Sequence, residues 1–213
     1  DRFAESRDVF EAADQALGEK LSELIFDGPM ETLTLTANTQ PAILTVSIAA
    51  LRAFQKSCDV KPDFVAGHSL GEFSALVAAG ALRFDDAVRI TRARGSYMQE
   101  AVPPGQGAMA AIMKMDDGDV RAICEQAARG DVVSPANFNS PGQVVISGDQ
   151  AAVERAGGLA KEKGGRVIPL KVSAPFHCAL MAPAALKLQE FLTPIAFTRP
   201  TPAVITNVEA APN

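Results

Sequence analysis

The pentapeptide Gly67-His68-Ser69-Leu70-Gly71 constrains this chain more than any other stretch of it. It follows a short apolar run, Phe64-Val65-Ala66, and opens into an apolar, helix-like segment from Glu72 to Gly80. A Gly-x-Ser-x-Gly sequence between a strand and a helix has the form of a nucleophile elbow, a sharp strained turn that exposes a serine hydroxyl. Glycines are expected two positions to either side of the serine because a side chain there would collide with neighbouring backbone. The helix that follows would aim its first N–H groups and the positive end of its dipole at the turn, where an oxyanion would form. An ordinary strand-to-helix turn has the same sequence form, so the pentapeptide alone leaves both readings open.

A serine hydroxyl is a weak nucleophile and needs a general base. The chain has two histidines, His68 and His177. His68 is the immediate neighbour of Ser69 and is badly placed to take its proton. If the base is a histidine of this chain, it is His177, although an isolated histidine also fits a plain surface or core position. His177 sits in Ser173-Ala174-Pro175-Phe176-His177, after the apolar segment Val167 to Val172. A loop at a strand's end is where α/β enzymes place catalytic groups.

A chain of 213 residues can bury a full core in one or two domains. Its 47% hydrophobic and 21% charged residues are ordinary for a soluble globular protein. The net charge of −5 argues against a nucleic-acid or anionic-membrane surface. No apolar run approaches the roughly 18 residues of a membrane span. No signal-peptide pattern is visible, and a start at Asp1 leaves room for a missing N-terminus. Cys58, Cys124 and Cys178 are spaced neither as a zinc site nor as a disulfide framework, and free thiols in a cytoplasmic setting are the simplest reading. Metal is therefore not expected. Pro104-Gly105-Gln106-Gly107 reads as a linker, not a phosphate loop.

Helix and strand alternate along the chain. Arg2 to Leu17 reads as a helix, and Leu21 to Phe26 as a helix or turn broken at Gly28-Pro29. Thr39-Gln40-Pro41 suits a helix start with Pro41 at the first position, and Ile43, Val46, Ala50 and Phe54 form an apolar stripe. A helix is expected from about Phe84 to Glu100. After Pro103-Pro104-Gly105 the expected elements are a strand (Ala108 to Met113), a helix (Gly118 to Arg129), two strands (Val132 to Phe138, Gln143 to Ser147), a helix (Gln150 to Lys163) and a strand (Arg166 to Val172). That order is ferredoxin-like. The fold expected is α/β: a large hydrolase-like domain with a parallel sheet and nucleophile elbow, 1–104 and 174–213, plus a ferredoxin-like α+β subdomain, 105–173, roofing a cleft. Ala203-Val204-Ile205-Thr206 looks like a strand entering the large sheet, so that domain is expected to be incomplete at both ends.

With these pieces assembled, the chain resembles the malonyl-CoA:acyl-carrier-protein transacylases of fatty acid synthesis and is similar to acyltransferase domains of polyketide synthases. The resemblance rests on Thr39-Gln40-Pro41-Ala42, on the run from Ala66 to Leu76, on Arg94-Gly95 with Met98 to Pro103, on Gly107 to Ala111, on Asn137 to Gly148 and on Pro175-Phe176-His177-Cys178. It implies a ping-pong transfer through a malonyl-Ser69 ester, with His177 as base and the Leu70 N–H as one oxyanion donor. It also implies that Arg94 pairs with the malonyl carboxylate, and that Phe176 crowds an α-methyl branch. Malonyl-CoA and CoA would be substrate and product, with no cofactor, and acyl carrier protein would be the acceptor of a monomeric enzyme that contacts neither nucleic acid nor membrane. The family pattern includes a glutamine-bearing loop ahead of residue 1 and a further active-site segment after residue 213.

Three other readings keep a place: a serine hydrolase or thioesterase, an acyltransferase domain of a polyketide synthase, and a non-catalytic module that binds CoA or carrier protein. Preference of the acyl-serine for a thiol over water would separate the first, neighbouring domains in the gene the second, and absence of turnover the third. Because carrier proteins are acidic, a basic patch is expected from among Arg92, Lys114, Lys163, Arg166 and Lys171.

Overall fold

The computed structural model describes residues 3–103, 105–172 and 174–213. The start of the first expected helix at Arg2, and the expected domain junctions at Pro104 and Ser173, lie outside the described residues. The chain divides into two compact units, 1–96 with 188–213, and 97–187.

In the first unit, α1 (Ala4–Leu17) ends at Gly18, whose left-handed backbone, φ 68°, lets its N–H reach the carbonyls of Asp14 and Gln15. Asp14 then accepts hydrogen bonds from the Ser22 N–H and hydroxyl, tying α1 to α2 (Leu21–Asp27). A single turn, α3 (Met30–Leu33), leads into α4 (Thr36–Ser57). This helix starts earlier than expected, so Pro41 is interior. Lacking an N–H, Pro41 leaves the Ala37 carbonyl without its helical partner, and Arg92 Nη1 donates to that oxygen at 2.9 Å. The apolar stripe expected on α4 also faces the other way: Ile43, Val46, Ala50 and Phe54 are exposed, while Pro41, Leu44, Thr45 and Ile48 are buried. The helix is apolar over more than one face, so periodicity alone could not choose between them.

β1 (Phe64–Ala66) leads through the elbow into α5 (Gly71–Ala78), and α6 (Phe84–Ala101) follows. Leu44 and Ile48 of α4 pack with Val9, Leu21, Val88 and Ile90 to form the core of this unit.

The second unit holds β2 (Gly107–Met113), α7 (Asp117–Ala128), β3 (Val133–Ser140), β4 (Gln143–Asp149), α8 (Gln150–Glu162) and β5 (Arg166–Pro169). Its sheet has the order β3-β4-β2-β5, with every neighbouring pair antiparallel. Strand alternation splits β2 between two faces. Ala110 and Ile112 join a core with Val120 and Ile123 of α7, whereas Met109 and Ala111 pack on the other side with Val145, Leu170 and Phe176. A short 3₁₀ turn, Ala179–Met181, precedes α9 (Ala182–Leu192).

The chain then forms β6 (Ala203–Ile205) in the first unit, parallel to β1 with Val65 opposite Val204. The strand expected at Ala203 thus enters a sheet with the strand that carries the elbow. Among the described residues the molecule contains one parallel and one antiparallel sheet, an α/β protein, and no helix is long and apolar enough to cross a membrane.

Candidate active site

The backbone around Ser69 is that of a strained turn. Ser69 has φ 52°, a left-handed conformation that costs a non-glycine residue about 1–3 kcal/mol. The turn is tight: Gly71 N–H donates to His68 O at 2.9 Å and Glu72 N–H to Ser69 O at 3.1 Å, delivering the chain into α5. A Cβ on Gly67 would stand 1.9 Å from the carbonyl carbon and oxygen of Gly71, so no side chain fits there. The matching expectation for Gly71 is not met, because a Cβ on it would have nothing within 4 Å. Gly71 is the backbone that crowds Gly67; it is not itself crowded. The Leu70 N–H accompanies the turn at the helix start, with no hydrogen bond to it among the described residues.

Arg94 reaches this turn from α6. Its Nη2 donates to Ser69 Oγ at 2.9 Å, and its Nη1 donates to Gln40 Oε1 on α4. Gln40 is in turn held by its own Nε2, which donates to Thr36 Oγ1 at 2.9 Å in the buried interior. The Phe73 ring lies 5.9 Å from the guanidinium carbon. Gly95 makes the approach possible, since a Cβ there would come within 2.4 Å of the Thr36 carbonyl oxygen. Burial lowers the Arg94 pKa, and among the described residues no carboxylate pairs with it. A partly buried cation that only donates, set against a hydroxyl, has the chemistry to pair with an anion.

Sequence reasoning gave no role to Asn207. Its Oδ1 accepts the Ser69 N–H at 2.7 Å, and its Nδ2 donates to Gly67 O and to Glu72 Oε2, both at 2.6 Å. The usable signal was position: Asn207 comes directly after the run read as a strand, and the carboxyl ends of parallel strands are where α/β folds place site residues.

His177 and Phe176 lie together in the second unit. His177 is exposed, with φ 60°, and immediately follows a well-packed stretch. Ala174 and Pro175 are buried, and Pro175 rests on Gly107, where a Cβ would come within 2.3 Å of its ring. Phe176 packs between Met98, Val102 and Met181 on one side and Met109, Ala111 and Val145 on the other. The structure therefore brings Ser69, Leu70 and Arg94 together in one unit and His177 with Phe176 in the other. Of the expected basic patch, Arg92 is engaged inside the first unit with Ala37 O, Asn38 and Glu19. Among the described residues no cluster of histidine, cysteine or acidic groups could hold a metal ion.

A strained serine at a strand-to-helix turn with a partly buried arginine beside it is compatible with acyl transfer, and the family model described as "Acyl transferase domain" matches residues 2–213: the chain belongs to this family. Within it, the chain is 54% identical over 203 residues to the malonyl CoA-acyl carrier protein transacylase of Escherichia coli K12, covering 95% of this chain and 66% of that protein. The chain thus spans just under two thirds of that curated relative's length. The solved malonyl CoA-acyl carrier protein transacylase of Coxiella burnetii superposes with a TM-score of 0.97 at 45% identity, covering 100% of this chain and 67% of that one. A malonyl-transacylase solved in complex with its type II PKS acyl-carrier protein gives 0.96 at 47% identity, covering 100% and 69%. The family resemblance read from the sequence is borne out.

Proposed function

We propose that this chain forms the catalytic part of a malonyl-CoA:acyl-carrier-protein transacylase. The observation that carries the reading is Arg94, a partly buried guanidinium without a carboxylate partner among the described residues, hydrogen-bonded to the hydroxyl that would carry the acyl group. An arginine's planar fork suits a terminal carboxylate, and an acetyl group would leave it unpaired.

In this mechanism His177 takes the Ser69 proton as Oγ attacks the thioester carbonyl, with the Leu70 N–H donating to the oxyanion. The C–S bond breaks, the proton passes to the departing CoA thiolate, and a malonyl-serine ester remains. The carrier's phosphopantetheine thiol then attacks that ester by the same steps in reverse. His177 is assigned as base on chemical grounds, since His68 is the chain neighbour of the nucleophile. Phe176 is assigned to exclude an α-methyl branch, supported by a ring held on both sides by packed side chains. The partner assignment is supported by the relative solved with its acyl-carrier protein. We read the second unit as ferredoxin-like on its strand order and antiparallel pairing, and the first as hydrolase-like on its parallel pair and elbow.

Intact-protein mass measured after brief mixing of the full natural chain with malonyl-CoA tests the reading. A malonyl adduct is expected that disappears in Ser69→Ala and clears on adding acyl carrier protein, with much weaker labelling by acetyl-CoA. An adduct cleared by water as fast as by carrier thiol would favour a thioesterase and overturn the proposal.

A further inference from the structure

We infer that Asn207 is a positioning residue: its carboxamide stands in for a strand's peptide group and holds the Ser69 elbow in its strained conformation. The inference rests on the proposed role of Ser69 as nucleophile and goes beyond it.

The parallel ladder between β1 and β6 pairs Phe64 with Ala203, Val65 with Val204 and Ala66 with Ile205. One step further the backbone of the first strand turns sharply into the elbow, and main-chain pairing ends. The next groups needing partners are the Gly67 carbonyl and the Ser69 N–H. Both are taken up by one side chain, with Asn207 Nδ2 donating to the first at 2.6 Å and Oδ1 accepting from the second at 2.7 Å. A carboxamide has the same donor and acceptor as a peptide group, so the ladder is extended by a side chain where the backbone cannot follow.

The amide is itself fixed. Its second Nδ2 hydrogen goes to Glu72 Oε2 at 2.6 Å, and the same oxygen accepts the Asn207 backbone N–H at 2.8 Å. Glu72 stands in the first turn of α5, so the clamp joins the end of β6, the elbow and the helix start. All three polar positions of the carboxamide are used, and turning it over would set donors against the Ser69 N–H. The loop carrying Asn207 is braced as well. Thr206 N–H donates to Ala211 O, Ala210 N–H to Thr206 O and Asn213 N–H to Val204 O. Aspartate in place of Asn207 has the same shape but would face the Gly67 carbonyl and the Glu72 carboxylate without hydrogens to give. The clamp acts on the backbone of Ser69, whereas Arg94 acts on its hydroxyl, so loss of the clamp should impair acylation and spare recognition of the acyl group.

The test compares the full natural protein with Asn207→Ala, Asn207→Asp and Glu72→Ala, each first checked for native circular dichroism and melting. Two readouts are taken: kcat and KM with malonyl-CoA, and the rate at which a fluorophosphonate labels Ser69. Because an elbow displaced by an ångström costs a reaction about 100-fold, folded Asn207→Ala should lose about 10- to 100-fold in kcat and in labelling rate, with KM nearly unchanged. Asn207→Asp should lose at least as much, and Asn207→Ala combined with Glu72→Ala little more than either alone. Folded Asn207→Ala labelled at the wild-type rate overturns the inference, as does a defect confined to KM. If the wild-type protein takes no malonyl group yet fluorophosphonate labelling depends on Asn207, the substrate reading fails and the positioning role stands. Should Asn207→Ala not fold, the same readouts on the isosteric Asn207→Asp decide.

Discussion

Arg94 Nη2 and Ser69 Oγ share a hydrogen bond of 2.9 Å. Arginine has no acceptor, so the serine oxygen is the acceptor and its own proton is left to point elsewhere. One guanidinium thereby stands beside the oxygen on which, in the proposed mechanism, the acyl group would be built. Gln40 fixes the other terminal nitrogen, and Thr36 fixes Gln40.

Replacing Arg94 should change which acyl group is accepted more than whether acylation occurs. In Arg94→Ala, malonyl transfer to Ser69 is expected to fall by at least about 100-fold, because a site built to pair a substrate group discriminates by that much or more. Acetyl transfer should fall far less, and the malonyl-to-acetyl ratio should drop. Arg94→Lys should recover only part of the malonyl rate, since an ammonium cannot present a fork. Mass spectrometry of the acyl-enzyme with each thioester checks this.

The two glycines of the pentapeptide should behave differently. Gly67→Ala drives a methyl group into the backbone of Gly71 and should cost about 3 kcal/mol or more, or prevent the elbow from forming. Gly71→Ala meets open space and sits at the start of α5, where alanine is the better helix former by about 0.5–1 kcal/mol, so it should fold at least as stably. Thermal unfolding of the two variants distinguishes them.

The elbow and the strand-helix order were legible because glycine, apolar periodicity and turn residues act over a few neighbouring positions. The strained turn at Ser69 needed its pentapeptide and the apolar segments on either side of it, and β3 and β4 only the Asn139 to Gly142 turn between them. Asn207 and Gln40 could not be read this way, because their roles come from partners 138 and 54 residues distant. The buried face of α4 is not legible for a related reason: apolar residues surround much of that helix, and only its packing into the core of the first unit selects Leu44 and Ile48. Pro41 was expected at a helix start because a missing N–H is harmless there. Inside α4 the vacancy is filled from another helix by Arg92, which no local rule anticipates.

Cys124 gives the second unit a defined alkaline sensitivity. Burial and the nearby Glu125 push its thiol pKa from 9.0 up to about 11. The folded state therefore holds a proton that the unfolded chain releases between those values, so the Cys124 contribution is complete below pH 9 and is lost as pH rises through 11. The melting temperature of the wild type should fall more steeply from pH 8 to pH 10.5 than that of Cys124→Ala, whose slope keeps only the contributions of other groups. In the native protein Cys124 should also resist iodoacetamide at pH 8, whereas partly exposed Cys58 and Cys178 react.

Arg92 is one of the residues expected to dock an acidic carrier protein, and in the structure its guanidinium ties α6 to α4. Its guanidinium donates to the Ala37 carbonyl freed by Pro41 and to the Asn38 side chain, and pairs with Glu19. Hydrogen bonds of this charge-assisted kind are worth about 1.5–3 kcal/mol when partly buried, so Arg92→Gln should lower stability by about 1–2 kcal/mol. Transfer to acyl carrier protein, expressed per folded molecule, should stay within about twofold of wild type, since a surface charge lost from a docking patch would instead reduce association and its salt dependence. Parallel unfolding curves and carrier-protein titrations at two salt concentrations separate these outcomes. A carrier-specific defect at unchanged stability would return Arg92 to the docking surface and leave the Ala37 carbonyl satisfied by some other donor.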